Sequence, residues 1–172
     1  MLVAVAVVSL FAIVAGYIAI IRSQGAPPPD NVTTVPFVAG YLLAMAGLLG
    51  VSLVERSGIV RLRPALRGAA AGGLLPMGVL ALMSIGLAIV IVAGLAIAAT
   101  VLALTARPSL KATSSAVAAA IVAVVVLAVG FDISWQTIVC PATGQSGGTT
   151  VGLFGNGTGY ECNDGVLTIT SH

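Results

Sequence analysis

The chain has 172 residues, 59% of them apolar and 7% charged, with seven Lys or Arg against five Asp or Glu and a formal net charge of +2. Soluble domains carry about 25% charged residues, so this composition, with a mean hydropathy of +1.16, excludes an ordinary water-facing surface and predicts an integral membrane protein. The charges fall between apolar runs, which also excludes a nucleic-acid-binding surface and a charged aqueous cleft.

In chain order, Leu2 to Ile21 is the first uncharged run and Val35 to Val54 the second. Each meets the roughly 20 residues that a hydrocarbon core of about 30 Å demands. No Lys or Arg precedes the first run, and its length predicts a retained anchor helix rather than a cleaved signal. Between the two runs, Pro27-Pro28-Pro29 predicts a semi-rigid polyproline II spacer. Asn31-Val32-Thr33 and Asn156-Gly157-Thr158 match a glycosylation pattern, but the Ala- and Val-heavy composition points to a bacterial chain, in which both matches are chance.

Glu55 to Arg67 is a basic loop carrying Arg56, Arg61, Arg63 and Arg67 with Ile59, Val60, Leu62 and Leu66 interleaved. It predicts a cytoplasmic topology determinant lying along an anionic leaflet.

Ala69 to Leu104 then runs for 36 residues without a charge, a helical length of about 54 Å that overshoots the bilayer. The run is expected to turn back at Ser84-Ile85-Gly86, where glycine ends a helix without a Cβ penalty. The resulting helices cover 69–83 and 87–104. A competing reading starts one long, tilted helix at Pro76. Ala112 to Val129 is the last uncharged run.

Basic residues in short loops stay cytoplasmic. Five spans with a cytoplasmic N-terminus place Arg56, Arg61, Arg63, Arg67, Arg107 and Lys111 inside and only Arg22 outside, whereas four spans give at best four against three. The expected fold is therefore an all-α polytopic membrane bundle over 1–130. Its five transmembrane helices include a tight hairpin formed by the third and fourth, and a small β-rich exoplasmic C-terminal tail follows over 131–172. Phe131, Trp135, Tyr17 and Phe37 are placed at the outer interface.

The tail holds the only two cysteines, Cys140 and Cys162, and an isolated pair in a segment with little core predicts a disulfide and an oxidising compartment. Thr149 to Phe154 and Val166 to Thr170 have β character, Asn163-Asp164-Gly165 signals a hairpin turn, and Ser146-Gly147-Gly148 and Gly155-Asn156-Gly157 read as mobile turns. About 40 residues bury too little to fold alone. A Cys140–Cys162 bridge, closing a loop of about 22 residues, contributes about 3 kcal/mol in the chain-entropy model.

Chemistry is sparse. Transporters and pumps mark their pathways with ionisable residues at membrane depth, and here Glu55 and Asp132 stand only at the edges of the runs. His172 is the sole histidine, so neither a Cys-His nucleophile with an orienting third group nor a metal site of sufficient ligands can be assembled from the tail. No Walker A, GxSxG, HExxH, CxxC or GxGxxG motif occurs. The residues predict no catalytic, cofactor-binding or metal site. They do offer small residues four apart, which let helices approach closely: Gly68-xxx-Gly72, Gly94-xxx-Ala98, Ala15-xxx-Ala19 and Ala116-xxx-Ala120. The hairpin arms, with Gly72, Gly73, Gly78, Gly86 and Gly94, are the expected close pair.

These features together predict a non-enzymatic accessory or scaffold subunit of a bacterial cell-envelope complex in the plasma membrane. Its expected partners are the lipid bilayer and other membrane proteins or further copies of itself, with no nucleic acid. The alternatives are a small transporter or channel component lined by carbonyls and hydroxyls around Ser84 to Gly86, and a thiol-based envelope sensor reading Cys140 and Cys162.

Overall fold

Apolar runs close their backbone hydrogen bonds internally, and a computed structural model of the chain shows where each such run begins and ends. It describes residues 1–23, 32–81, 85–106, 108–150 and 158–171, without the side chains of Trp135, Thr150 and Ser171. The proline spacer, Ser84, Arg107, the Gly155-Asn156-Gly157 turn and His172 lie outside the described residues. Among the described residues the elements are α1 (Leu2–Ser23), α2 (Thr34–Val51), α3 (Ser57–Leu80), α4 (Gly86–Ala106), α5 (Leu110–Gln136), β1 (Gln145–Thr150), β2 (Thr158–Asn163) and β3 (Val166–Ser171). Of these helices α1, α2, α4 and α5 are long and apolar enough to cross a membrane. The molecule is mostly helical, with a small three-stranded sheet at its C-terminus.

The basic loop is corrected. Arg61, Arg63 and Arg67 stand on the first half of α3, and Arg56 is the N-cap residue before it, without a side-chain capping bond. Arg, Leu and Ala are strong helix formers, so the charges interrupt the apolar runs without preventing this stretch from being helix. Pro64 and Pro76 both lie inside α3; each lacks an N–H, so Val60 and Gly72 lose their usual i+4 donor. The alternative of a helix starting at Pro76 is overturned by the same observation.

The long run doubles back. The helix α3 ends at Leu80, the Ala81 N–H donates to the Met77 and Val79 carbonyls, and the Gly86 N–H donates to the Ala81 carbonyl at 2.8 Å. Ile85 lies in the turn and Gly86 is the first residue of α4 rather than the corner itself. A Cβ on Gly86 would overlap the Gly78 carbonyl, and one on Gly78 would meet Val90, so the close approach of the arms requires glycine at both positions.

The chain divides into two units, Met1–Ala19 with Gly40–Leu127, and Ile20–Ala39 with Ala128–His172. In the first, α1 buries a stripe of Val3, Ala6, Leu10 and Val14, and α4 buries Ile89, Val92, Ala93, Ala96 and Ala99 at helical spacing. Two of the small-residue motifs meet each other: a Cβ on Gly68 would overlap the backbone of Ala116, and one on Gly72 would overlap Ala120. Gly73 faces the Tyr41 hydroxyl and Met45 of α2, and Gly94 has nothing within 4 Å. Gly72 and Gly73 thus serve contacts with α5 and α2 rather than the hairpin, and Gly94 serves none. The Tyr41 hydroxyl donates to the Ala123 carbonyl at 2.9 Å, adding a polar link between α2 and α5 beside the glycine face of α3.

In the second unit α5 continues past Val129 to Gln136. Gly130 accepts the Phe37 ring where a Cβ would overlap it. The last turn is held by Gln136 Nε2 donating to Asp132 at 2.9 Å, and the Thr33 hydroxyl donates to the Ser134 carbonyl at 2.7 Å. The sheet is an antiparallel meander in the order β1-β2-β3. Ser146-Gly147-Gly148, expected as a turn, lies within β1 and pairs with Cys162, Glu161 and Tyr160. Gly148 has no side chain to exclude the Tyr160 ring, which comes within 3.1 Å of where its Cβ would stand. The Tyr160 side chain is buried there, so an aromatic cross-strand neighbour outweighs the poor strand propensity of glycine.

Candidate functional site

Two places combine polar chemistry with defined geometry. The first is at the basic end of α3. Arg63 and Arg67 are four residues apart and share a helix face; with Arg61 they line one side of a pocket of about 370 Å³. Ala103 and Leu104 of α4 form an apolar wall, and Ser109 with Ala112 contributes the start of α5. Ser109 precedes Leu110, the first residue of α5, and its carbonyl accepts the Thr113 N–H at 3.0 Å. The free N–H groups of that first turn add positive potential.

Arg63 and Arg67 are both half-buried. Arg63 Nη2 donates to the Val54 carbonyl at 3.2 Å. Arg67 Nε donates to Ser52 Oγ at a long 3.4 Å, and that hydroxyl, fully buried, itself donates to the Leu49 carbonyl at 2.7 Å. Arg63 Nε is buried without a hydrogen-bond partner among the described residues, which ordinarily costs about 1–3 kcal/mol. Arginine stays protonated in proteins, so the pair persists as two like charges with no ion pair among the described residues.

The basic residues noted in the sequence therefore separate: Arg61, Arg63 and Arg67 come together, and Arg56 does not line the pocket. Sequence reasoning missed Ser109 and the α4 wall, since neither carries a charge or motif. The i, i+4 spacing of Arg63 and Arg67 was the available signal, and reading the segment as a loop concealed it.

The second place is the sheet. Cys140 and Cys162 are joined in a disulfide with their Cα atoms 5.5 Å apart, and Cys162 is buried on the central strand. Asp164 (φ +45°) and Gly165 (φ +83°) form the two-residue turn between β2 and β3, the positive-φ geometry that suits a right-twisted hairpin. The Gly144 N–H donates to the Asp164 carboxylate at 2.9 Å while the Asp164 N–H donates to the Gly144 carbonyl at 3.1 Å. Turn and bridge together close the same end of the β1–β2 pair. On β3, Val166, Leu167 and Ile169 are exposed.

Among the described residues no group of three or more His, Cys, Asp or Glu is placed to hold a metal ion. No protein-family model, curated protein or solved structure matches the chain.

Proposed function

We propose that the chain is a non-enzymatic integral membrane protein of a bacterial plasma membrane, an accessory or scaffold subunit of a cell-envelope complex. Five crossings, with α3 and α4 as the third and fourth, put six of the seven basic residues on the cytoplasmic side and the disulfide-tied tail on the oxidising side, by the distribution of Lys and Arg along the chain. The observation that carries the scaffold role is β3. It is an edge strand of the sheet, has no further strand on its outer side among the described residues, and exposes Val166 and Ile169. Such an edge is a ready template for pairing with another chain, and its apolar side chains supply contact area.

Native complexes extracted in mild detergent are expected to hold a stoichiometric partner. Ile169→Lys should release that partner while leaving the sheet folded, because the side chain is exposed. Migration of the wild-type chain as a lone monomer under the same conditions would remove the scaffold reading.

A further inference from the structure

The pocket at the basic end of α3 is unlike the sheet edge in chemistry, since it joins clustered cations to an apolar wall. Arg61, Arg63 and Arg67 face it with no carboxylate to neutralise them among the described residues. The long 3.4 Å bond to Ser52 leaves most of the Arg67 donors unused. Two like charges held half-buried four residues apart on one helix are unfavourable unless an anion lies between them. The start of α5 at Ser109 adds N–H groups of the same sign to that space. Ala103 and Leu104 line the same pocket with carbon surface. A volume of about 370 Å³ lies within the range of small-ligand sites.

We infer that this pocket binds a phosphate ester anion, with Arg63 and Arg67 as its charge-assisted donors and the α4 wall against the carbon skeleton of the same ligand. Arginine is suited to phosphate because its planar fork donates in pairs. A phospholipid headgroup combines the anion with an adjoining apolar part, as the pocket does; a free phosphate would use only the arginines. The site needs no second protein, so it stands or falls separately from the scaffold reading.

The test uses the purified full-length chain in neutral detergent, with thermal unfolding and native mass spectrometry as readouts. Phosphatidylglycerol, phosphatidylcholine and inorganic phosphate are added in separate arms. Phosphatidylglycerol is expected to raise the unfolding temperature and to remain bound, whereas phosphatidylcholine, whose choline cation would be repelled by the three arginines beside the same phosphodiester, does neither. Arg63→Gln and Arg67→Gln should each weaken retention about tenfold, and Arg22→Gln should not. A103W, which fills the pocket without altering charge, should abolish the response, so the proposal remains testable should the arginine variants fail to fold. A response to inorganic phosphate equal to that of the lipid would leave the α4 wall without a role and overturn the assignment of an ester ligand. Equal retention of phosphatidylcholine and phosphatidylglycerol, or an undiminished response in both A103W and the Arg63→Gln/Arg67→Gln double variant, overturns it.

Discussion

Gly68 and Gly94 each begin a small-xxx-small pair, yet they stand in opposite surroundings. At Gly68 the α5 backbone at Ala116 occupies the place a Cβ would take, and at Gly94 that place is open. Gly68→Ala is therefore expected to cost about 1–3 kcal/mol by forcing α3 and α5 apart. Gly94→Ala should gain about 0.5–1 kcal/mol by removing helix-interior glycine entropy. Unfolding of both variants in the same detergent checks the pair, and equal shifts would mean that the α3–α5 contact is not tight. Sequence made both motifs visible. It could not distinguish them, because spacing along one helix says nothing about which neighbour lies across from it. The orphaned Arg63 Nε belongs to the same class of fact, legible only once the α2 end, with Val54 and Ser52, is set against α3.

Among the elements, α3 and the sheet show how local signals compete. In α3 the charge pattern correctly marked the end of the apolar run, but Arg and Leu continue a helix as readily as they populate a loop. In β1 the Ser146-Gly147-Gly148 sequence favours a turn by composition, and pairing with β2 under the Tyr160 ring reverses that preference. The Asp164-Gly165 turn behaved as its residues dictate, since both φ values are positive and the Asp164 side chain is satisfied locally by Gly144. A sheet this small depends on its covalent tie. Cys140→Ser is expected to cost the sheet about 3 kcal/mol and to open it to limited proteolysis, with helical circular dichroism unchanged. Resistance equal to wild type would show that the strand pairings and the Gly144–Asp164 clamp suffice without the bridge.

At the scale of the whole molecule, the doubling back of Ala69 to Leu104 sets how many times the chain can cross a bilayer. With α3 and α4 as separate crossings, reporter fusions at Gly86 and at His172 are expected to be active on the extracytoplasmic side and one at Lys111 on the cytoplasmic side. A Lys111 fusion on the same side as Gly86 would mean that α4 does not cross. Among the described residues four helices, and not α3, are apolar enough throughout for a crossing. For α3 the decision rests on its arginines, two of which donate to the Val54 carbonyl and to Ser52 at the end of α2.

By itself the sequence determined the apolar helices, the two-residue turn and the only two cysteines available to pair, and it favoured the reversal of the long run over one tilted helix. These follow from composition, hydrocarbon thickness and the conformational range of single residues, all of them local quantities. Only the tertiary structure decided that Gly68-xxx-Gly72 meets Ala116-xxx-Ala120, that Gly148 lies under Tyr160, and that three arginines share a pocket with the wall of α4. Those outcomes depend on contacts between segments far apart in the chain, where many pairings satisfy the same local rules and close packing selects among them.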